Sequence, residues 1–220
     1  MPFLTLRPTV SYTLVGPRPV FLDVRNDRYC ALSPAAGRTL QRLHASPEPV
    51  DLRNPEIEEF LASGLFALGA TSALVPVCHP RAKRGIDSAI GNSIRLGDVL
   101  AVARSTVLAQ RSLRRDRLAA LATPRAAALS MRDGLGRACP PETLAHRFLR
   151  ARRLLPIAPR CLPDSLALRV WLERHGHPST LVFAVRLKPF SAHCWLESDG
   201  VVLNDAPDRI DRFIPIGVFA

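Results

Sequence analysis

The chain has 220 residues, of which 47% are hydrophobic, and its formal net charge is +11. This length and apolar content allow one large domain or two small ones with a buried core, and they argue against global disorder. We expect a cytoplasmic protein without a membrane span, because no stretch approaches the ~18 apolar residues of a membrane helix and the N-terminus lacks the pattern of a signal peptide.

The positive charge lies in the middle of the sequence. Residues 71–160 contain 17 Arg and Lys against 5 Asp and Glu, whereas the segments on either side are almost neutral. Such a segment can contact nucleic acid, an acidic partner or an anionic surface, or it can be a set of solvated helix faces. Phe148 is the only aromatic residue in it, so stacking on bases is disfavoured and we expect no nucleic-acid partner.

The first seventy residues predict strands followed by helices. The strands, rich in β-branched residues and separated by turn signals, are predicted at residues 9–15, 20–24 and 29–32. Ser33-Pro34 is a typical N-cap followed by proline at the first helical position, and residues 55–62 predict a second helix that ends at Gly64. We expect a small β3α3 module at residues 1–70.

Residues 71–95 contain two prolines and a basic run, and we interpret them as a basic linker. From residue 96 the pattern becomes helical, because apolar residues recur every three or four positions. The predicted buried stripe of this helix is Leu96, Val99, Leu100, Ala103 and Val107.

The last sixty residues predict a helix followed by an antiparallel sheet, the order of an α+β domain. The helix is expected from Cys161 to Arg174, with Gly176 as its stop signal. Strands are predicted at residues 180–187, 191–197 and 201–205.

Cys161 lies where this helix begins. A helix N-terminus carries about half a positive charge and favours thiolate over thiol, although Asp164 in the same turn opposes the effect. His193 and Asp205, on consecutive predicted strands, are suited to take the thiol proton and to orient the imidazole. A small core cysteine and a hydrogen-bonded histidine would give the same pattern, and residue types alone do not separate the two.

The other cysteines have simpler interpretations. Wide spacings without a CxxC pair argue against a zinc ribbon, and we expect neither a metal nor a cofactor. Strand alternation points Cys194 away from the His193 ring. We therefore predict that Cys194, like Cys30, Cys78 and Cys139, is a packing residue.

Asn204 competes with Asp205 for the contact to His193, and the turn between the last two strands decides between them. A three-residue loop at 198–200 places Asp205 opposite His193, whereas a two-residue loop places Ala206 there. Gly200 suits the last position of the longer loop, so we predict that loop, with Asp205 on His193 and Asn204 facing away.

The stretches CLPDSLALRVWLERHGHPSTLVFAV and FSAHCWLESDGVVLND resemble the transglutaminase-like leader peptidases of lasso-peptide biosynthesis. The resemblance covers about residues 160–216 and rests on the motifs Cys-Leu-x-x-Ser-Leu-Ala-Leu and Ala-His-x-Trp-Leu-Glu. It implies a transglutaminase/papain-like cysteine peptidase domain at 96–220 with Cys161, His193 and Asp205 as its triad. It also implies that residues 1–70 are a winged-helix-like leader-recognition domain.

The resemblance further implies a reaction, the removal of the leader from a ribosomally made precursor before a separate ATP-dependent cyclase closes a macrolactam. The leader region of the precursor and the lasso cyclase are then the expected partners. An extended peptide can add to an open strand edge. The residues expected to bind the leader are Tyr29, Cys30, Ala31 and Leu32 on the docking strand, with Ile57 and Leu61 on the facing helix.

Three points stay open at this level. The Cys161 backbone N–H is a candidate oxyanion donor, but a second donor is unassigned. An acyltransferase or amidase would use the same triad. A catalytically silent, basic peptide- or nucleic-acid-binding protein is the alternative from a different class.

Overall fold

The computed structural model describes residues 2–86, 94–116 and 139–220. The chain divides into two compact units, Met1–Cys78 with Ile214–Gly217, and His79–Phe213 with Val218–Ala220. Both contain helices and strands, which confirms the mixed helix-and-sheet class. Among the described residues, no helix has the length and apolar character needed to cross a membrane.

The first unit has five strands and two helices rather than the predicted three of each. They are β1 Phe3–Leu6, β2 Val10–Val15, β3 Arg18–Asp23, β4 Arg28–Ala31, α1 Pro34–Ala45, α2 Pro55–Ala62 and β5 Phe66–Gly69. Strands β2, β3 and β4 form an antiparallel sheet, and β1 pairs with β5. The prediction missed β5 because its partner lies some sixty residues earlier and its own four residues carry little strand signal.

The core of this unit is built from aromatic rings. Tyr12 stacks on Phe21 at 5.4 Å between centroids, and Phe66 contacts Phe21 at 5.5 Å and Phe60 at 5.0 Å. The Tyr12 hydroxyl donates to the carbonyl of Leu74, which is itself buried. Residues 71–78 therefore belong to this unit, and its end lies later than the predicted boundary at residue 70.

Helix α1 begins as the sequence predicts. The Ser33 hydroxyl accepts a hydrogen bond from the Ala36 N–H, and a proline occupies the first turn. Leu40 and Leu43 are buried on its inner face.

The later elements are β6 Arg84–Gly85, α3 Leu96–Asp116, α4 Pro141–Arg153, α5 Cys161–Arg174, β7 Thr180–Leu187, β8 Phe190–Ser198, β9 Val201–Val202, α6 Pro207–Ile210 and β10 Ile214–Phe219. Five of these strands form one sheet with the order β10-β7-β8-β9-β6. Strand β8 is antiparallel to both of its neighbours, and β6 is parallel to β9. Part of the predicted linker 71–95 is thus a strand of this sheet.

Helix α3 buries a different face from the one predicted. Leu96 and Leu100 of the predicted stripe are 76% and 64% exposed. The buried face is made by Asp98 and by small residues, namely Val102, Ser105, Thr106 and Ala109. Small side chains let α3 approach α5 closely, and the two hydroxyls bond to carbonyls one turn earlier at 2.9 Å. Arg147 of α4 neutralises Asp98 with contacts of 2.7 and 2.8 Å.

Helix α5 is buried around most of its circumference, between α3 and α4 on one side and β8 on the other. Its start is held by Asp164, whose N–H donates to the Arg160 carbonyl while its Oδ2 accepts the Arg160 N–H, both at 3.1 Å. Buried Arg152 donates to Asp164 Oδ1 at 2.9 Å and to the carbonyls of Ile157 and Ala158. These contacts fix the loop that leads into Cys161.

We expect Arg152→Ala to lower the free energy of unfolding by about 3 kcal/mol, because it leaves a partly buried carboxylate and two carbonyls without their donor. Arg153, the next residue, is exposed. Its replacement by Ala is the matched control and should cost less than about 0.5 kcal/mol. Urea denaturation of both variants measures the difference, and equal losses would show that Arg152 does not hold the loop.

Candidate active site

The structure brings together the three residues that the sequence singled out. Cys161 is exposed at the start of α5, close enough to the His193 imidazole for each group to shift the pKa of the other. His193 lies on β8 opposite Ala184 of β7. Its Nε2 bonds to Asp205 Oδ2, so Nδ1 is the ring nitrogen left for the thiol. The His193 and Asp205 side chains are only 10% and 8% exposed, which shields their contact from water.

The turn that precedes Asp205 differs from the prediction. Glu197 pairs with Val202 and Ser198 with Val201, so the loop is the two-residue Asp199-Gly200. Both loop residues have positive φ, 49° and 74°, as a type I′ turn requires. The three-residue loop is therefore wrong. The Asp-Gly pair is the stronger hairpin signal, because its residue types tolerate two consecutive left-handed conformations.

Asp205 reaches His193 despite this register because the strand ends early. The ladder continues only to Leu203, whose N–H donates to the Leu196 carbonyl at 2.9 Å. Residues 204 and 205 lie outside the strand, where alternation of side chains no longer applies. Asp205 is held there by the Ala206 N–H at 2.8 Å and by Arg209 at 3.8 Å.

Asn204 faces α5 and not His193. Its Oδ1 accepts the Leu196 N–H at 2.7 Å, in place of a backbone carbonyl, and its Nδ2 donates to the Ser165 hydroxyl at 2.8 Å. One amide thus ties β8 to the helix that carries Cys161.

Cys194 is buried, as predicted for a packing residue, and it also lies near the start of α5. It lies on the face of β8 opposite to His193, as strand alternation requires, but α5 packs on that face. Its sulfur is 4.0 Å from the Ser165 hydroxyl, and it is close enough to Cys161 for each thiol to shift the pKa of the other. Nothing in the local sequence signals this contact, because it depends on where the start of α5 meets the strand.

These contacts set the charges of Cys161 and His193. Hydrogen bonds from the Cys194 thiol and from His193 outweigh burial and lower the pKa of Cys161 to about 4. Burial acts to lower the pKa of His193, but Asp205 and Cys161 outweigh it and raise that pKa to about 9. A thiolate–imidazolium pair is therefore the stable form between about pH 4 and pH 9.

The two flanking groups keep opposite protonation states. The contact with Cys161 and burial raise the pKa of Cys194 well above its usual value, so this thiol stays protonated and remains a donor. Burial acts to raise the pKa of Asp205, yet the His193 contact and the Ala206 N–H hold it below the usual value. Asp205 therefore stays a carboxylate.

Donors for an oxyanion are present at the start of α5. The helix begins without a side-chain cap, and Pro163 carries no N–H. Within the described part of the chain, no acceptor is paired with the N–H of Cys161 or of Leu162. Leu162 N–H is thus a candidate for the second donor that the sequence left unassigned.

A second histidine–carboxylate contact lies on the His193 face of β8, and sequence reasoning missed it. Glu197 is buried and accepts from His79 Nε2 at 2.8 Å and from Trp195 Nε1 at 2.6 Å. The Trp195 ring in turn lies 6.0 Å from the His193 ring. Across residues 2–86, 94–116 and 139–220, no three His, Cys, Asp or Glu side chains are grouped as a metal site would need.

The residues expected to bind a leader lie around β4, with one exception. Strand β4 is at the edge of its sheet, Ala31 is exposed on it, and Tyr29 is partly exposed. Cys30, Leu32 and Leu61 are partly buried against the core of the first unit. Ile57 is 4% exposed and belongs to that core, so it is not available as a wall for a peptide.

Comparisons with known proteins match the part of the chain that contains this site. The model of a family described as the transglutaminase-like superfamily matches residues 98–218, a range that contains the whole Cys-His-Asp set. The microcin J25-processing protein McjB of Escherichia coli is 42% identical over 52 residues, which cover 24% of this chain and 25% of McjB. The similarity therefore spans about a quarter of that relative's length. No solved structure matches the chain.

We expect Cys161 to react with iodoacetamide at close to its maximal rate at pH 6, because its thiolate forms near pH 4. A cysteine with the ordinary pKa near 8.5 is less than about 1% thiolate at that pH. Mass spectrometry of the alkylated protein between pH 3.5 and pH 10 gives the midpoint.

Two Cys194 variants form the control for this measurement. Cys194→Ala removes a donor and should move the midpoint to higher pH, whereas Cys194→Ser keeps a donor and should move it less. A wild-type midpoint near 8.5 would contradict the thiolate–imidazolium pair.

Proposed function

The chain belongs to the transglutaminase-like superfamily, and on that basis we propose that it is a cysteine peptidase that removes the leader from a ribosomally made lasso-peptide precursor. The observation that carries the proposal is the contact of Cys161, His193 and Asp205 at the start of α5. The partial similarity to a protein named for microcin J25 processing supports a peptide precursor as the substrate.

The geometry suits hydrolysis through an acyl-enzyme. The Cys161 thiolate attacks the scissile carbonyl, and the N–H groups of Cys161 and Leu162 stabilise the oxyanion. The His193 imidazolium then donates its proton to the leaving amine, which departs with the core peptide. Neutral His193 next takes a proton from water, and the hydroxide releases the leader as a carboxylate. Asp205 holds the imidazole in place throughout.

The products of this cleavage are the substrates of the next step in the proposed pathway. Cleavage exposes the amine of the first core residue, which a separate ATP-dependent cyclase then joins to an acidic side chain. The lasso cyclase is thus a proposed partner, and the cytoplasm, where ATP is available, is the proposed location.

We further propose that the leader binds as an extra strand on β4. The Leu32 N–H donates to the carbonyl of Pro19 on β3. Because backbone groups alternate along an antiparallel pair, the N–H and C=O of Ala31 then point away from β3, toward the open edge. Arg28 reaches the carbonyl of Ser63 at 3.3 Å, which brings β4 beside the end of α2. Leu61 on α2 remains a candidate for the facing wall.

Three variants test the catalytic assignment with the precursor encoded beside the gene. Cys161→Ala should abolish cleavage, and Asp205→Ala should lower turnover at least ~100-fold because the imidazole loses its orientation and its charge partner. Asn204→Ala should cost mainly stability, about 2 kcal/mol, because it leaves the Leu196 N–H unpaired. Mass spectrometry of the two fragments gives the rates, and thermal unfolding gives the stabilities.

The mass of the leader product also distinguishes a peptidase from an acyltransferase. A leader that gains water indicates a peptidase, whereas a leader joined to an added amine indicates an acyltransferase. Cleavage by Cys161→Ala at the wild-type rate would reject the mechanism.

A pair of substitutions at one position tests the docking edge in a Cys161→Ala background. Ala31→Pro removes the outward N–H but is tolerated on an edge strand, and it should weaken leader binding about tenfold. Ala31→Val keeps the N–H and should bind nearly as well as the parent. Fluorescence anisotropy of a labelled leader measures both affinities, and equal weakening would place the leader elsewhere.

A further inference from the structure

Arg186 lies on the same face of the sheet as the catalytic histidine. Strand β7 pairs Ala184 with His193 and Arg186 with Ser191, so alternation places Arg186 and His193 on one face, two residues apart along the strand direction. One aromatic ring contacts both side chains. The Phe213 centroid is 5.2 Å from the His193 ring, and the guanidinium carbon of Arg186 lies 5.4 Å above the same centroid.

The Arg186 cation is incompletely satisfied in the described part of the chain. Its Nε is buried without a hydrogen-bond partner, and the described residues provide no carboxylate for it. The contact with the Phe213 ring stabilises the charge but accepts none of its in-plane N–H groups. A buried donor without an acceptor is costly, and this one shares the Phe213 ring with His193.

The carboxylates around His193 are already engaged. Asp205 holds His193, the Ala206 N–H and Arg209. Glu197 holds His79 and Trp195. Arg186 therefore has no structural ion pair to make with either, in contrast to Arg152, whose three nitrogens each donate to the loop at the start of α5 or to Asp164.

We propose that Arg186 forms a carboxylate-binding subsite that takes an Asp or Glu side chain of the peptide substrate. A guanidinium offers a planar fork of donors that matches a carboxylate in two parallel hydrogen bonds. The two ring contacts limit the separation between Arg186 and His193 to at most about three residues of extended chain. The acidic residue therefore lies within about three positions of the scissile bond. This inference rests on the proposed peptidase function and names the substrate feature that the site selects.

The first test needs no peptidase activity, only the nucleophilic thiol. Bromoacetyl-Glu-NH2 and bromoacetyl-Gln-NH2 alkylate Cys161 and differ only in the charge of the side chain. One or two inserted glycines in each reagent move the carboxylate outward to cover the allowed range. The ratio of the two rates on one protein cancels any change in the amount of thiolate, so it reports the attraction for the carboxylate alone.

For at least one reagent length, the Glu reagent should react about five- to tenfold faster than the Gln reagent on the wild-type protein. The ratio should fall close to one in Arg186→Met, which keeps a long side chain against Phe213, and lie between these values in Arg186→Lys. Arg174→Met removes an exposed charge from the other end of α5 and should leave the ratio unchanged. A ratio that Arg186→Met leaves unchanged at every length would overturn the subsite.

The second test separates this inference from the function on which it rests. The wild-type protein and Arg186→Met are given the precursor and single Asp→Asn or Glu→Gln versions of it near the cleavage site. Neutralising one acidic position of the precursor should lower kcat/KM about tenfold for the wild-type enzyme. The same change should leave kcat/KM of Arg186→Met unchanged. No cleavage of any peptide would refute the proposed function, while the alkylation ratio would still decide the subsite. Equal sensitivity of both enzymes would refute the subsite alone.

Discussion

The start of α5 is the constraint on which the site depends. A cysteine at a helix N-terminus has a fixed environment only if the helix begins at a fixed place, and here no side chain caps the first turn. Asp164 and Arg152 provide the fixation instead, through one carboxylate that meets both the Arg160 N–H and a buried guanidinium. The same contact neutralises a negative charge that would otherwise oppose the Cys161 thiolate. One interaction therefore both fixes the start of the helix and favours the thiolate form.

Strand β8 contributes to Cys161 from both of its faces. His193 approaches with its Asp205 partner from one face, and Cys194 approaches from the face that packs on α5. His193 and Cys194 thus both approach the Cys161 sulfur, although they are neighbours in sequence and their side chains point to opposite faces of β8. Asn204 makes this convergence possible, because it joins β8 to α5 through the Leu196 N–H and the Ser165 hydroxyl.

The high basicity of the chain has a structural explanation in part. Arg147 and Arg152, both from the basic middle segment, neutralise the buried Asp98 and the partly buried Asp164 on neighbouring helices. Arg169 of α5 pairs with Glu173 and donates to the Phe219 carbonyl. Arg186 differs from these three, because its guanidinium lies over the Phe213 ring, which also contacts His193, and pairs with no carboxylate of the described residues.

Local signals determined what the sequence predicted well: the Ser33 cap, the span of α2 and the start of α5 at Cys161 depend on residues within one or two turns. The choice of Asp205 over Asn204 was correct in outcome but not in its reasoning, because the Asp199-Gly200 turn sets another register and Asp205 reaches His193 only after the strand has ended. Tertiary structure alone decided the strand β5, the buried face of α3 and the contact of Cys194 with Cys161. In each of these cases the partner is distant in sequence, and the free energy comes from packing or hydrogen bonding between elements, which no local pattern of residue types encodes.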